Sequence, residues 1–335
     1  MGRDPKVDDS GAHQAFVVGH YKSGSTWLAN LLSLHPHVYG LRETHLFRLS
    51  AESADLAECT HRLFTTVAWS GGGPRNLVRH RLAALARPFR RSGQATLSWR
   101  ERPTTSLDLG LRQRRRLRRS LLEADDVDEY RRRFYGLLLE LLRPPRLLLD
   151  KTSTNVAWVP EIRRLFPRSK LIAIHRDGRD VVVSDRHHLR NQYRRDQDFT
   201  ASVRDWRRAV ELELEHAAVH GLYTLSYEAL LSDTTGETRR LLDFLGLEAG
   251  SDVVADMVRR SSFRFVTGRS TGQEQQRSFY RKGVAGDWRD ALSADERSAF
   301  GELAGEMLVR LGYERSAHAA DWEIAETLST RDPSG

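Results

Sequence analysis

Residues 16–34 read FVVGHYKSGSTWLANLLSL. A short apolar run meets a turn of glycine, serine and lysine, and a helix-like stretch follows. A chain that passes from a buried strand through such a turn into a helix is committed to a strand–loop–helix unit. Backbone N–H groups and the positive helix end then meet at one point, and an anion belongs there. Gly24 permits close backbone approach, Ser23, Ser25 and Thr26 add hydroxyl donors, and Lys22 brings a full charge. Gly19 and Gly24 have the spacing of the nucleoside-triphosphate loop G-x-x-x-x-G-K-[ST]. The lysine does not fit it, because Ser25 follows Gly24 and Lys22 lies two residues before it. The usual lysine contact to β- and γ-phosphates is therefore missing.

The same alternation continues along the chain. AFVVG (15–19), PRLLLDK (145–151), KLIAIHR (170–176) and LYTLSYE (222–228) read as strands. Helical patterning falls at Ser25 to Leu34, at 158–166 up to Pro167, from about Asp180 to Asn191, at 236–247 with a Gly246 stop, and from Ala294 to Leu311. Strands alternating with helices predict an α/β fold, a three-layer arrangement with a central parallel sheet flanked by helices. Residues 1–14 read as a disordered leader. Residues 50–145 carry helical patterning and a flexible SGGGP at 70–74, with no motif that points to a chemistry.

With 39% hydrophobic residues in a chain of 335, a core can be buried. No run of 18 or more apolar residues exists, so no spanning helix is expected. The polar N-terminus lacks the apolar stretch of a signal peptide, and Lys6 stands where a myristoylation pattern needs Ser or Thr. Cys59 is the sole cysteine, which rules out an internal disulfide and fits a cytoplasmic enzyme. The net charge of +8 favours anionic partners. Only five of the 53 basic residues are lysine: Lys6, Lys22, Lys151, Lys170 and Lys282. From Arg87 to Arg119 there are eleven arginines against Glu101 and Asp108, a stretch that reads as a solvated face or as a surface for an acidic acceptor.

Two other functions are open at this level. HRD (175–177) is reminiscent of a kinase catalytic loop, but Val182 stands where the asparagine belongs and no DFG follows. A nucleotide kinase would use Asp150, at the end of an apolar strand, as its magnesium ligand. Charge alone would also suit a nucleic-acid-binding module.

Three blocks in order narrow the choice. YKSGSTW (21–27), HRDGRDVVVS (175–184) and FYRKGVAGDW (279–288) together resemble sulfotransferases that use 3′-phosphoadenosine 5′-phosphosulfate (PAPS). The first is similar to the family's 5′-phosphosulfate loop, with Tyr21 where proline is usual. The second resembles the 3′-phosphate block, with Arg176 and Ser184 eight positions apart. The third resembles the loop that closes over the same phosphate, here Arg281, Lys282 and Gly283. The resemblance implies a P-loop-like fold, with 15–315 as the sulfotransferase domain, 50–145 as a helical acceptor-side insertion and 316–335 as a tail. It also implies PAPS as donor, 3′,5′-ADP as product and no metal. Trp27 corresponds to the stacking tryptophan of the first motif, Tyr227 to the tyrosine that faces adenine, and Ser262 and Phe263 to the segment that flanks the base. Arginine suits such a site, since it stays charged and binds phosphate bidentately.

The base does not follow from the best-known branch of that family. Sulfotransferases with phenol and steroid acceptors use the histidine of a K-T-H segment, and here Lys151 and Thr152 are followed by Ser153. LRETHLF (41–47) instead resembles the E-x-H-F-F segment of heparan-sulfate-type and bacterial sulfotransferases, whose glutamate is the base. By that match Glu43 deprotonates the acceptor, His45 assists or orients it, and Lys151 sets the charge of Glu43. Lys22 stabilises the leaving oxygen. An extended segment would point Glu43 and His45 to one side. A glutamate base tilts the acceptor toward a sugar or alcohol hydroxyl rather than a phenol, on a small molecule or glycan that carries acidic groups if the arginine stretch binds it. No nucleic acid partner is expected. The family's dimerisation pattern K-x-x-x-T-V-x-x-x-E is not matched by RDALSADERS, so the oligomeric state is open.

Overall fold

The computed structural model describes residues 14–41, 43–66, 109–142, 147–189, 198–274 and 282–322. The expected leader up to residue 13, the SGGGP stretch, residues 87–108 of the arginine-rich region and Arg281 lie outside them.

Five strands form one sheet: β1 (Gln14–Gly19), β2 (Val38–Leu41), β3 (Leu147–Lys151), β4 (Lys170–His175) and β5 (Tyr223–Ser226). Their order is β2-β3-β1-β4-β5, and every neighbouring pair is parallel. Parallel strands need helical crossovers, which bury both faces, so β1 reads as an unbroken apolar run. Ala15 and Val17 pack into one core, with Leu147, Leu149, Ile172 and Ile174. Phe16 and Val18 pack into the other, with Leu148, Leu171 and Ala173.

The helices are α1 (Ser25–Leu32), α2 (Leu46–Glu52), α3 (Leu56–Thr66), α4 (Leu111–Leu122), α5 (Val127–Leu141), α6 (Val159–Leu165), α7 (Gly178–Leu189), α8 (Phe199–His220), α9 (Tyr227–Ser232), α10 (Thr234–Leu245), α11 (Ser251–Ser261), α12 (Phe263–Thr267), α13 (Trp288–Ala291) and α14 (Ala294–Arg310). A third apolar cluster joins α7, α8 and α14, and it includes Trp206, Trp288, Phe300 and Trp322. Trp322 is 1% exposed, so packing continues beyond residue 315. No helix among the described residues is long and apolar enough to cross a membrane.

The structure corrects the sequence reading at several points. Strand β2 was not expected, because VYGL is only four residues long and Gly40 interrupts its apolar character. Helices α8 and α11 also went unread. The strand expected over 222–228 stops at Ser226, whose side chain accepts a hydrogen bond from Ala229 N and starts α9. Tyr227 is therefore the first residue of a helix. Within the arginine-rich region α4 is a helix with Leu117 and Leu121 buried, and Arg116 pairs with Glu140 at 2.7 Å.

The strand order also positions a site. The chain leaves β1 toward the β2 side and leaves β4 toward the β5 side, so connections diverge between two adjacent strands. Ligands of open α/β sheets bind in the crevice this creates at the strands' carboxyl ends. The loop after β1 and the residues after β4 flank that crevice.

Candidate active site

A cavity of about 300 Å³ opens there. Lys22, Gly24, Ser25, Thr26 and Trp27 line it from the first loop and α1. Arg176 and Ser184 come from β4 and α7, Tyr227 from α9, Ser262 and Phe263 from the α11–α12 junction, and Lys282 and Gly283 from the last loop. These residues, as far apart as 22 and 283, share one wall-to-wall space. Ser23 does not line it and is fully buried. Leu231, Thr234, Val258, Val266 and Thr271 also line the cavity, and the sequence reading missed them. They come from α9 to α12 and the turn beyond, and no local pattern links them.

The first loop is built to leave donors facing the cavity. Lys22 has φ 68° and Gly24 has φ 89°. Two left-handed residues in three turn the backbone sharply, and only glycine does so without strain. Gly24 caps α1 without a side-chain hydrogen bond, so the first N–H groups of the helix stay available to an anion. A Cβ on Gly24 would lie 2.5 Å from the Tyr227 ring. Ser25 Oγ is 2.9 Å from Ser153 Oγ, which ties α1 to the segment after β3.

Arg176 follows β4 directly and is mostly covered, its side chain 11% exposed. Its Nη2 donates to Val284 O at 2.8 Å and to Asp180 Oδ2 at 3.1 Å, and its guanidinium lies 4.5 Å from the Tyr227 ring centre. Burial pulls its pKa down, but the Asp180 charge outweighs that, so it stays cationic. Asp180 also accepts from Gly286 N at 2.8 Å and Trp288 N at 3.0 Å. The last loop is thereby fastened beside Arg176. Lys282 Nζ donates to Asp287 Oδ1 at 2.5 Å. A Cβ on Gly283 would lie 2.5 Å from the Phe263 ring, so the two close one side of the cavity together.

Two buried polar atoms of residues lining this space have no hydrogen-bond partner: Trp27 Nε1 and Arg176 Nε. Buried donors are normally satisfied, and unsatisfied ones need an explanation. An anionic, hydrogen-bonding ligand supplies one. The cavity combines a helix N-terminus, three cationic side chains and an apolar, aromatic slot, which fits a nucleotide with a phosphate at each end.

A second group of residues lies one strand away. Lys151 ends β3 and is paired with Val17 of β1. Its Nζ donates to Glu43 Oε1 at 2.6 Å. His45 Nε2 lies 3.5 Å from Glu43 Oε2. The extended segment expected here is instead a turn, with His45 at φ 51°, ψ 20°, and the turn is what brings both side chains together. Glu43 remains 42% exposed. Burial alone would raise its pKa, but the His45 hydrogen bond and the Lys151 charge reverse this and bring it to about 2. Asp150, the candidate magnesium ligand of a kinase, is buried, and both its oxygens already accept hydroxyl hydrogen bonds. Among the described residues no group of His, Cys, Asp and Glu is arranged to hold a metal ion. His35, by contrast, holds structure: it is buried, with Nε2 3.1 Å from Glu248 O.

Residues 14–251 match the sulfotransferase family. The chain is 27% identical to bovine (Bos taurus) sulfotransferase 1A1 over 187 residues, which is 48% of this chain and 62% of the bovine protein. It is 22% identical to Mus musculus sulfotransferase 2B1 over 194 residues, 49% of this chain and 54% of the mouse protein. The alignments thus span between half and two thirds of these curated relatives. Among solved structures, mouse sulfotransferase SULT7A1 complexed with PAP superposes with TM-score 0.51 at 17% identity, covering 88% of this chain and 84% of that one. Mycobacterium avium sulfotransferase STF9 gives TM-score 0.51 at 17% identity, covering 89% and 76%. At such identities the likeness is one of fold, a P-loop-like α/β sheet flanked by helices.

Proposed function

The chain belongs to the sulfotransferase family, and from that premise we propose that it moves the sulfuryl group of PAPS to a hydroxyl acceptor by in-line displacement. The observation that carries this is the pairing of two sites at adjacent strand ends. One is an anion-fitted cavity after β1 and β4, the other a cluster of Lys151, at the end of β3, with Glu43 and His45, which follow β2.

PAPS supplies an activated sulfuryl group whose leaving oxygen belongs to the 5′-phosphate. Gly24, Ser25 and Thr26 would hold that end through hydroxyls and the first N–H groups of α1, with Ser23 buried behind them. Lys22 would stabilise the charge that develops on the leaving oxygen. Arg176, Ser184, Arg281, Lys282 and Gly283 would hold the 3′-phosphate. Trp27, Tyr227, Ser262 and Phe263 would enclose the adenine. Glu43 takes the acceptor's proton as the acceptor oxygen bonds to sulfur and the bond to the leaving oxygen breaks. A carboxylate held near pKa 2 is a weak base while Lys151 donates to it. Its basicity rises as Lys151 turns toward the sulfuryl oxygens. His45 orients the free carboxylate oxygen. In this reading 15–315 is the catalytic domain, with the helices within 50–145 on the acceptor side. The acceptor is a sugar or alcohol hydroxyl, and screening a panel with labelled PAPS identifies it.

Binding comes first among the tests. At about 100 times its dissociation constant, 3′,5′-ADP raises stability by roughly 2.7 kcal/mol in thermal melts without magnesium, and 5′-AMP at the same concentration does much less. Equal responses to both nucleotides, or a response only to ATP with magnesium, would overturn the reading. Arg176→Ala weakens 3′,5′-ADP binding by roughly 1.5–3 kcal/mol, the worth of a charged hydrogen bond. An unchanged calorimetric isotherm for that variant would remove the 3′-phosphate assignment.

A further inference from the structure

We propose that Asp150 is a positioning residue for sulfuryl transfer, fixing through Thr44, Thr152 and Tyr135 the turn that presents Glu43 and His45 to the acceptor. The inference rests on the function proposed above. Asp150 is the penultimate residue of β3 and is 1% exposed. Its Oδ2 accepts from Thr44 Oγ1 at 2.6 Å and from Tyr135 OH at 2.7 Å, and its Oδ1 accepts from Thr152 Oγ1 at 2.7 Å. Thr44 stands between Glu43 and His45 and is itself fully buried.

Burial raises the pKa of Asp150, and the hydroxyls of Thr44, Tyr135 and Thr152 donate to it and favour its ionised form. As a carboxylate it only accepts, so it dictates the direction of every hydroxyl around it. Thr152 Oγ1 spends its proton on Asp150 and is left to accept from Thr44 N, at 3.0 Å. Thr44 Oγ1 does the same and is left to accept from Leu46 N, at 3.3 Å, at the start of α2. Thr44 is thereby held through its backbone and its side chain, on either side of which the two functional side chains project. His45 needs such support. A non-glycine residue in the left-handed region persists where its surroundings over-determine it. Lys151, the next residue after Asp150, is set by the same strand end. One buried carboxylate thus governs the geometry of Glu43 and His45 beside Lys151, while none of Asp150, Thr44, Thr152 and Tyr135 lines the nucleotide cavity.

Asparagine at position 150 keeps the shape but offers one accepting oxygen and an NH₂ that cannot accept. At least one hydroxyl must turn, and the chain of acceptors breaks. A misplacement of about 1 Å in a reacting group costs on the order of 10²-fold in rate. The experiment uses the full chain, labelled PAPS and the acceptor turned over by the wild type. Asp150→Asn and Thr44→Val are expected to lower kcat about 10²-fold, with the dissociation constant of 3′,5′-ADP within about twofold of wild type. Thr44→Ser, which keeps the hydroxyl, restores most of kcat. Independently of activity, the His45 imidazole resonances, assigned by NMR, move from their wild-type positions in Asp150→Asn. Wild-type kcat in Asp150→Asn, or a fall in kcat matched by an equal loss of 3′,5′-ADP affinity, overturns the proposal. If Asp150→Asn does not fold, Tyr135→Phe and Thr44→Val decide, and unchanged kcat in both sinks it. A wild type that transfers to no acceptor overturns the proposed function instead. Unmoved His45 resonances would still overturn the positioning role on their own.

Discussion

Glu43→Gln lowers kcat by about 10²–10⁴-fold, the contribution of a positioned base, while 3′,5′-ADP affinity stays close to that of the wild type. Glutamine keeps the shape of the side chain and its contact with Lys151 but cannot take a proton. The nucleotide cavity does not include Glu43, so the loss belongs to the chemical step. The low pKa of Glu43, about 2, adds a second expectation. A carboxylate with a depressed pKa is charged everywhere above it and loses its charge only as pH falls through that value. In the free enzyme, where Lys151 donates to it, Glu43 therefore gives kcat/KM no acid limb near neutrality, and any such limb in kcat/KM reports another group. Lys22→Ala also slows the reaction, but it weakens nucleotide binding as well, because it removes charge from the cavity itself. Single-turnover kinetics on Glu43→Gln and His45→Gln decide the assignment. A dead His45→Gln beside a near-normal Glu43→Gln would make His45 the base. If both stayed active, the proton would go to a group outside residues 41–47.

Arg179→Ala costs roughly 3–5 kcal/mol of stability, the loss typical when one partner of a buried ion pair is removed. Arg179 is 1% exposed. It donates to Asp177 at 3.0 and 2.8 Å and to Glu314 at 2.5 Å, and its guanidinium lies 3.7 Å from the Trp288 ring centre and 4.6 Å from that of Trp322. Alanine strands two buried carboxylates and leaves the tryptophans facing a void. The deficit depends on pH in a predictable direction. Burial already raises the Glu314 pKa against the pull of Arg179, and without Arg179 it rises further. A group whose folded pKa is raised gains stability on protonation, as pH falls through that pKa. The variant's deficit is therefore larger at neutral pH than under mildly acid conditions. Urea unfolding at two pH values measures it. An equal deficit at both, or a loss below about 1 kcal/mol, would contradict the stranded-charge account.

How much of this was legible in the sequence depends on the range of the signal. Strands β1, β3 and β4 were readable because burial on both faces of a parallel sheet leaves unbroken apolar runs such as AFVVG and LIAI. The strand–loop–helix turn after β1 was readable because its polar residues are contiguous, and the resemblance of three blocks named residues most of which the fold gathers around one cavity. Strand β2 and the helical start at Tyr227 were not readable. Four residues with a glycine carry no periodicity, and the Ser226 cap competes with the strand only once β5 has a partner in β4. The order of strands decided what no local pattern encodes, namely that the loop after β1 faces the end of β4 across one crevice and the end of β3 on the other side. Asp150 shows the difference most sharply. In the sequence it is an acidic residue after an apolar run, equally suited to a metal. Only the approach of Thr44 and Tyr135, from segments 106 and 15 residues away, turns it into the sealed acceptor of three hydroxyl protons. Local composition sets which groups a strand end carries. Which of them are left facing a ligand is settled by the long-range hydrogen bonds that satisfy the rest.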